Sequence, residues 1–311
     1  MKHTFSLFGL LLLAFSAQTQ TEFKAVDAIA RGIRKDTYSN PGELARALCK
    51  DLKTDSEKAR VLFTWLALNM RYDLDAAGKE GPKANSEAEY HDKRVKIAFR
   101  KGKGVCMDYA LLYQQMAREV ELECAFILGN SKGSLLGGWE SHAWNAVKIE
   151  GQWKLLDVTW GAGHVDEQQK FKQVFQPGYF FTEPRVFALD HFPEEAKWQL
   201  LDNPIPKNTF KNQAVFHYGN PDQDIQDTEP FGIPLSKGTD GKVFLFLKIK
   251  HPPAVLKLEM GGRNLPFHRT DKDGWTMLHF VASGNQPLYV WGGEKRKNRV
   301  FVTLMGVFPI K

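Results

Sequence analysis

The chain has 311 residues, of which 43% are hydrophobic and 25% charged, with a formal net charge of +6 at pH 7. This composition excludes a disordered chain and supplies enough apolar residues for about two domains. No aromatic interleaving or nucleic-acid module accompanies the basic residues, so we expect no nucleic-acid partner and interpret their main cluster as a solvated helix face with its loop. That cluster comprises Lys93, Arg94, Lys96, Arg100, Lys101 and Lys103.

The first residues have the features of a cleaved export signal. Lys2 and His3 precede an apolar run from Phe5 to Phe15, and a small and polar stretch follows. The run is shorter than the roughly 20 apolar residues that span a bilayer. We predict a signal peptide at residues 1–20, a secreted or periplasmic mature protein, and no membrane span. The alternative interpretation is a buried first helix.

The chain has three cysteines, Cys49, Cys106 and Cys124. In an oxidising compartment an odd number leaves one thiol unpaired. One possibility is a disulfide between Cys49 and Cys124 that leaves Cys106 free. The other, which we prefer, is that Cys49 and Cys124 are small core residues, because both have apolar neighbours.

Helical periodicity comes first along the chain. It predicts helices over residues 23–35, 41–53, 56–70 and 91–100, and a further, largely buried helix after Cys106. Asn40 followed by Pro41 is a strong helix start. We expect Asp55 to cap the third helix and residues 75–89 to form an exposed loop.

Strand patterns follow, in two groups. The first group is predicted at 124–129, 143–149 and 153–158, with a flexible loop at 130–138 and a hairpin turn at Glu150-Gly151. Beyond residue 209 the alternation of apolar residues and the turn signals predict a small β-sandwich. Its strands are predicted at 243–249, 254–260, 275–281, 288–291 and 300–307. We therefore expect one domain at 21–208, with helices and strands, and a β-sandwich domain at 209–311.

Cys106 is the first candidate for chemistry. The run Gly-Lys-Gly-Val-Cys-Met-Asp-Tyr-Ala places its thiol at the start of a helix. The helix dipole and the free backbone N–H groups there favour a thiolate, and the same N–H groups can supply one arm of an oxyanion hole. Taken alone, Cys106 is more readily interpreted as a buried structural cysteine.

His142 and Asp157 lie on the two strands of the predicted hairpin. A two-residue turn pairs Ile149 with Gln152, which sets Asp157 opposite Trp144, and His142 opposite Thr159. His142 and Asp157 are then diagonal neighbours on one face, within reach of a hydrogen bond. Asp157 would orient the imidazole, and the other ring nitrogen would face Cys106.

These three residues together predict a cysteine nucleophile. A thiolate–imidazolium pair attacks acyl carbons and passes the acyl group to water or to an amine. A metal site made of Cys106, His142 and Asp157 lacks any short ligand spacing, so we expect neither metal nor cofactor. His164, Asp166 and the pair Asp190-His191 are interpreted as loop residues.

Several motifs, in order and spacing, resemble those of the transglutaminase-like superfamily, and within it the kyphoscoliosis-peptidase-like branch and its bacterial exported relatives. The motifs are Phe63-Thr64-Trp65, Arg71-Tyr72-Asp73, Gly104-Val105-Cys106 with Tyr109-Ala110, His142-Ala143-Trp144-Asn145, Trp153 to Gly161, Tyr179 to Pro184 and Trp198 to Leu201. The resemblance covers about residues 50–205. It implies an α+β papain-like core, in which N-terminal helices pack on an antiparallel sheet, followed here by an immunoglobulin-like sandwich.

The same resemblance implies roles for the site residues. Cys106 is the nucleophile, His142 the base and Asp157 the orienting acid. Trp65 or Tyr72 could supply the side-chain arm of the oxyanion hole, although core packing is the preferred role of each. The sequence has no calcium loop like that of the animal cross-linking enzymes, so calcium activation is not implied.

Three functions are therefore compared. The preferred hypothesis is an exported cysteine peptidase or amidase acting on protein or peptide, with the β-sandwich available for docking a partner or substrate. The second is a protein-glutamine amine acyltransferase, that is, a cross-linking enzyme. The third is a non-catalytic binding scaffold on the same fold, which the complete triad disfavours.

Overall fold

A computed structural model describes residues 23–132, 139–166, 168–216, 225–249, 251–296 and 299–311. The predicted signal peptide at 1–20 lies outside these ranges. By their contacts these described residues form two units, one within residues 23–127 and 143–182 and one within residues 128–142 and 183–311. The domain limits expected from the sequence, 21–208 and 209–311, stay a prediction. Across the described ranges, no helix combines the length and apolarity needed to cross a membrane.

The helices of the first unit surround a large apolar core. They are α1 (Lys24–Gly32), α2 (Pro41–Cys49), α3 (Asp55–Asn69), α4 (Glu87–Lys101), α5 (Cys106–Glu119) and α6 (Val158–Ala162). Short 3₁₀ turns lie at Lys35–Thr37 and Pro177–Tyr179. Helix α3 is buried around most of its circumference and packs against α1, α2, α5 and α6, so its burial extends beyond its apolar stripe. The predicted helices exist, but the first ends early at Gly32 and α4 begins inside the predicted loop.

Side-chain caps define where two of these helices start. The Asn40 side chain accepts the N–H of Glu43 at the start of α2, as predicted. The expectation for α3 was wrong, since Thr54 rather than Asp55 is the cap. The Thr54 hydroxyl accepts the N–H of Glu57, and the Glu57 carboxylate accepts the N–H of Thr54. This reciprocal capping box satisfies two otherwise unpaired donors.

The strands of the first unit form small antiparallel groups and one parallel pair. They are β1 (Arg71–Tyr72), β2 (Lys103–Gly104), β5 (Gln152–Leu156), β6 (Gly163–Val165), β7 (Phe171–Gln173) and β8 (Phe180–Thr182). Strands β3 (Cys124–Lys132) and β4 (Trp139–Ile149) each continue from one unit into the other. β5 pairs with β4 on one side and with β8 on the other. The predicted loop at 130–138 is wrong at its start, because β3 extends to Lys132; residues 133–138 lie outside the described ranges.

The second unit contains the predicted C-terminal β-sandwich. The further strands of the second unit are β9 (His191–Pro193), β10 (Val215–Phe216), β11 (Ile225–Glu229), β12 (Lys242–Ile249), β13 (Val255–Met260), β14 (Arg263–Leu265), β15 (Phe267–Lys272), β16 (Trp275–Val281), β17 (Leu288–Arg296) and β18 (Arg299–Phe308). All of them except β9 belong to the sandwich. Helices α7 (Pro184–Phe187) and α8 (Lys207–Lys211) and a 3₁₀ turn at Ala196–Gln199 precede most of them.

Two antiparallel sheets make up this sandwich, in the orders β10-β18-β17-β13-β14 and β11-β12-β16-β15. Alternate residues of both sheets, such as Leu245 on β12 and Val290 on β17, meet in one buried cluster. The period-2 alternation of the sequence thus corresponds to inward-facing side chains. The mixed helix and sheet architecture with a C-terminal β region confirms the predicted fold class.

Candidate active site

Cys106 is the first residue of α5, as the sequence predicted. The preceding residue, Val105, has extended backbone angles, and Cys106 itself is half-buried. In the first helical turn the N–H of Asp108 donates to the carbonyl of Val105 at 2.8 Å, and the helix dipole is positive at this end. Backbone donors at this helix start can therefore interact with an anion.

Two side chains that the sequence analysis did not connect with the site, Asp108 and Arg94, fix the turn before Cys106. The carboxylate of Asp108 accepts the N–H of Val105 at 2.8 Å and the Nε–H of Arg94, also at 2.8 Å. Arg94 is thus part of a largely buried ion pair, which corrects its interpretation as a solvated residue of the basic run. A Cβ at Gly104 would lie 2.5 Å from that of Asp108, so glycine is required for this close approach.

The other two cysteines are buried in the apolar core, and all three thiols are free. Burial raises the pKa of the Cys49 thiol to about 12. Burial likewise raises the pKa of the Cys124 thiol well above its ordinary value. The interpretation of both as core residues is confirmed, and an inert protonated thiol is what such burial produces.

The hairpin that carries His142 has the predicted register. Glu150 and Gly151 both have positive φ, as a two-residue turn requires. Ile149 pairs with Gln152, and the ladder continues to Asn145 opposite Leu156. His142 lies three residues further along β4 and is 6% exposed.

Asp157 differs from its predicted setting. β5 ends at Leu156, and Asp157 caps the short helix α6 instead of continuing the strand, so Thr159 is helical and is not a strand partner of His142. One carboxylate oxygen accepts the N–H groups of Thr159 at 2.8 Å and Trp160 at 3.2 Å. These bonds explain how a carboxylate that is 0% exposed is accommodated, and they fix its orientation.

His142 lies beside a residue that was not predicted. His142 and His191, both in the second unit, each offer a ring nitrogen, and these atoms lie within 4.8 Å of one another. The contacts of His142 with the Cys106 thiol and with Asp157, and the catalytic role of each residue, stay predictions.

Inside the first unit, buried polar groups connect α5 with the hairpin. The amide of Asn145 donates to the carbonyls of Ala110 on α5, at 3.0 Å, and Ala125 on β3, at 3.1 Å. The hydroxyl of Tyr109 is buried and has no hydrogen-bond partner in the described part of the chain. Burial, followed by the charges of Tyr72 and Asp157, raises the pKa of Tyr109. The hydroxyl of Tyr109 on α5 therefore lies close enough to the carboxylate of Asp157 for the two groups to interact electrostatically.

One guess about the oxyanion hole is excluded. The indole N–H of Trp65 donates to the carbonyl of Ile33 at 2.9 Å, and the ring is fully buried in the core. Trp65 is therefore a core residue. The ring of Tyr72 packs 6.4 Å from that of Phe171 at the edge of the same core.

His191 is the residue that the sequence interpretation missed. It begins strand β9 and is 1% exposed, so its interpretation as a loop residue was wrong. A carboxylate beside it in sequence, Asp190, was the available signal, since a buried histidine needs a polar partner. Asp108 could have been found from its position, because the third residue of a helix is where a capping box places an acid.

Comparisons with known proteins assign the middle of the chain to a known family. Residues 42–158, which include Cys106, His142 and Asp157, match the family model described as transglutaminase-like superfamily. The chain is 33% identical over 286 residues to kyphoscoliosis peptidase of Mus musculus, a match that covers 86% of this chain and 42% of that protein. It is 25% identical over 294 residues to Hillarin of Drosophila melanogaster, covering 84% of this chain and 33% of that protein.

Among solved structures, a TGase is 16% identical and is matched over 55% of this chain and 43% of its own, with a TM-score of 0.31. The chain spans less than half the length of both relatives named above. Residues 42–158 form a domain of the transglutaminase-like superfamily, as the sequence motifs predicted.

Proposed function

We propose that this chain is an exported cysteine peptidase or amidase that attacks peptide or side-chain amides through Cys106, His142 and Asp157. The relatives named kyphoscoliosis peptidase support a hydrolytic activity. The apolar N-terminal run supports export. The C-terminal sandwich would dock the protein substrate or a partner.

One observation carries the proposal. Within one unit and inside the transglutaminase-like core, the half-buried Cys106 begins a helix, and the fully buried carboxylate of Asp157 is fixed by two backbone N–H groups at the end of the hairpin. A buried carboxylate costs several kcal/mol without such partners. Cys106 supplies the nucleophile that a histidine–carboxylate pair serves.

The proposed reaction has two steps. The Cys106 thiolate attacks the amide carbon, and the oxyanion is stabilised by backbone N–H groups at the start of α5. His142 gives its proton to the leaving amine, and the C–N bond breaks to leave a thioacyl-enzyme. His142 then takes a proton from water, which attacks the thioester, so that a carboxylic acid leaves and the thiol–imidazole pair is restored.

Thiol reactivity tests the nucleophile. We expect iodoacetamide to label Cys106 much faster than Cys49 or Cys124 at pH 7, because those two are buried and protonated. His142→Ala should slow labelling of Cys106 by on the order of 100-fold, a typical loss for a proton-transfer partner. The measurement is peptide-resolved mass spectrometry over time, and Cys106→Ser is the control for site assignment. Equal rates at the three cysteines would contradict an activated thiol.

A second assay identifies the acyl acceptor. The full chain is incubated with a casein digest and a primary amine probe. New peptide termini or released ammonia support hydrolysis, whereas probe incorporation into casein would favour cross-linking. Rapid Cys106 labelling with neither product would count against a broad peptidase.

A further inference from the structure

A cavity of about 440 Å³ lies on the five-stranded sheet of the C-terminal sandwich. It lies where the turn between β13 and β14 meets the start of β17, and its volume is within the roughly 300–1,000 Å³ of small-molecule sites. The residues around it include Glu259, Gly261, Gln286, Pro287, Tyr289 and Trp291. All of these residues lie in the second unit, and none of them belongs to the proposed catalytic site.

Strand β17 supplies two aromatic rings to this cavity. Leu288 and Val290 are fully buried in the interior of the sandwich. Because side chains alternate along a strand, Tyr289 and Trp291 lie on the opposite, outer face of the sheet, where both are half-buried. They are roughly 7 Å apart along the strand. The two rings therefore form an aromatic wall on which a ligand with an apolar face can stack.

The neighbouring strand, β13, places a compensated charge beside the rings. Glu259 lies opposite Tyr289, and Lys257 lies opposite Trp291. The Lys257 amine donates to Oε2 of Glu259 at 3.0 Å and lies 5.8 Å from the centre of the Trp291 ring. The carboxylate thus already has its own cation. It remains a hydrogen-bond acceptor at the cavity, but the pair gives the cavity no net charge with which to select a charged ligand.

Two further polar groups at the cavity can bind a ligand. The indole Nε1 of Trp291 is buried and has no hydrogen-bond partner among the residues that the structure describes, an arrangement that is costly unless something else supplies an acceptor. Gln286 is exposed, and its amide oxygen lies so close to Gly261 that a Cβ there would overlap it. The Gln286 amide offers a donor as well as an acceptor.

We propose that this cavity binds a neutral sugar unit of a glycan, stacked on Tyr289 and Trp291 and hydrogen-bonded by Glu259 and Gln286. A pyranose ring has a face of C–H groups, which matches the aromatic wall. Its rim consists of hydroxyls that both donate and accept, so it can serve the carboxylate, the amide and the indole N–H together. The proposal does not depend on the reaction at Cys106, and either can fail without the other.

A proline-rich peptide is the other ligand that aromatic-lined grooves commonly bind. Its prolines have carbonyl acceptors but no backbone N–H. Such a peptide could accept the indole N–H of Trp291, but its prolines would give no donor to the Glu259 carboxylate. Sugar hydroxyls satisfy both groups, so the polar groups of the cavity favour the sugar.

Titration calorimetry on the full chain tests the class of ligand. The probes are cellohexaose, maltohexaose, mannohexaose and chitohexaose, which are neutral, and a polyproline peptide. We expect at least one of the sugars to bind with a Kd below about 1 mM and the peptide to show no binding in that range. Absence of binding by all four sugars would overturn the proposal. Binding of the peptide alone would also overturn it and assign the cavity to peptide docking.

Three variants locate the bound sugar. Gln286→Ala should weaken binding by about 5-fold, because an exposed side chain loses its hydrogen bonds while the fold is kept. Trp291→Phe retains an aromatic ring, removes the N–H and should weaken binding by a similar factor. Trp275→Phe, at a half-buried tryptophan on β16 of the other sheet, is the matched control and should leave the Kd unchanged.

An unchanged Kd in both Gln286→Ala and Trp291→Phe would show that the sugar binds elsewhere, and the proposal would fail. Thermal unfolding of each variant checks that it is folded at the temperature of the titration. If Trp291→Phe is not, Gln286→Ala decides.

Discussion

Two parts of the first unit bury side chains of opposite character, apolar in one part and polar in the other. Around helix α3 the buried side chains are almost all apolar, and the polar atoms of Thr64 and Trp65 have partners. At the end of β5 the chain buries Asp157, Asn145 and Thr159, and the Asn145 oxygen and Thr159 hydroxyl have no hydrogen-bond partner in the described part of the chain.

The difference separates residues that stabilise the fold from residues that are retained at a cost in stability. Apolar burial stabilises a fold by about 25 cal/mol per Å² and needs no partner. An unsatisfied buried polar atom costs roughly 1–3 kcal/mol, so a protein that carries several at one place is keeping them for another reason. Substitutions around α3 should therefore lower the stability of the fold. Substitutions around Asp157 should lower activity with little loss of stability.

The substitution Asp157→Asn is the strongest test of this comparison. The amide oxygen can still accept the N–H groups of Thr159 and Trp160, so we expect the free energy of unfolding to change by less than about 1 kcal/mol. Amide hydrolysis should fall on the order of 1,000-fold, because an amide neither holds the correct imidazole tautomer nor stabilises its cation. Urea unfolding and initial rates on the casein digest measure the two effects.

A matched helix cap provides the control. Asn40→Ala removes the acceptor for Glu43 at the start of α2 and should cost about 1 kcal/mol of stability with no change in hydrolysis rate. If Asp157→Asn behaves like Asn40→Ala, Asp157 is a helix cap and nothing more.

Local signals explain what the sequence could predict. Asn40-Pro41 and the Glu150-Gly151 turn act within a few residues, and each was placed correctly. The hairpin register then followed from the two-residue turn, which brought Asp157 near the His142 strand even though the strand was predicted too long. Alternation along β12 and β16 gave the sandwich for the same local reason.

Long-range contacts explain what it could not predict. His191 is significant because β9 pairs with β3, about 60 residues away in the chain. Arg94 was grouped with the exposed lysines of its helix, and only the fold shows that it meets Asp108. No periodicity contains such information, because each contact depends on how separate elements pack.

Lys132 tests the cost of burying charge in the second unit. Its amine is buried, donates to the carbonyl of Gln213 at 3.4 Å and lies 4.5 Å from the centre of the Phe210 ring. Burial lowers its pKa from 10.5 to about 8, against the opposing effect of Asp190. The folded chain therefore binds fewer protons than the unfolded chain between pH 8 and 10.5, and this residue's contribution to stability rises with pH across that window.

Lys132→Met should accordingly raise the free energy of unfolding at pH 7 by on the order of 1–3 kcal/mol, since the cost of burying a cation disappears. The advantage over the unsubstituted chain should shrink from pH 8 upward and be nearly absent at pH 10.5. Urea unfolding at several pH values measures it. Lys197→Met, at a side chain that is 63% exposed, is the control and should show no such trend. A difference that stays constant with pH would contradict a depressed lysine pKa.

The smallest expected effect lies at the start of α3, where local sequence and apolar packing act together. Thr54→Ala removes the hydroxyl that accepts the Glu57 N–H at 3.2 Å and breaks the capping box. We expect a loss of about 1 kcal/mol, seen as a lower urea midpoint with an unchanged slope. Thr54→Ser keeps the acceptor and should restore most of it. The labelling rate of Cys106 should stay unchanged in both variants, because the cap acts on the stability of α3 and on no group that takes part in the chemistry. A parallel loss of thiol reactivity would mean that the apolar core and the polar end of β5 are coupled, and the separation argued for them would fail.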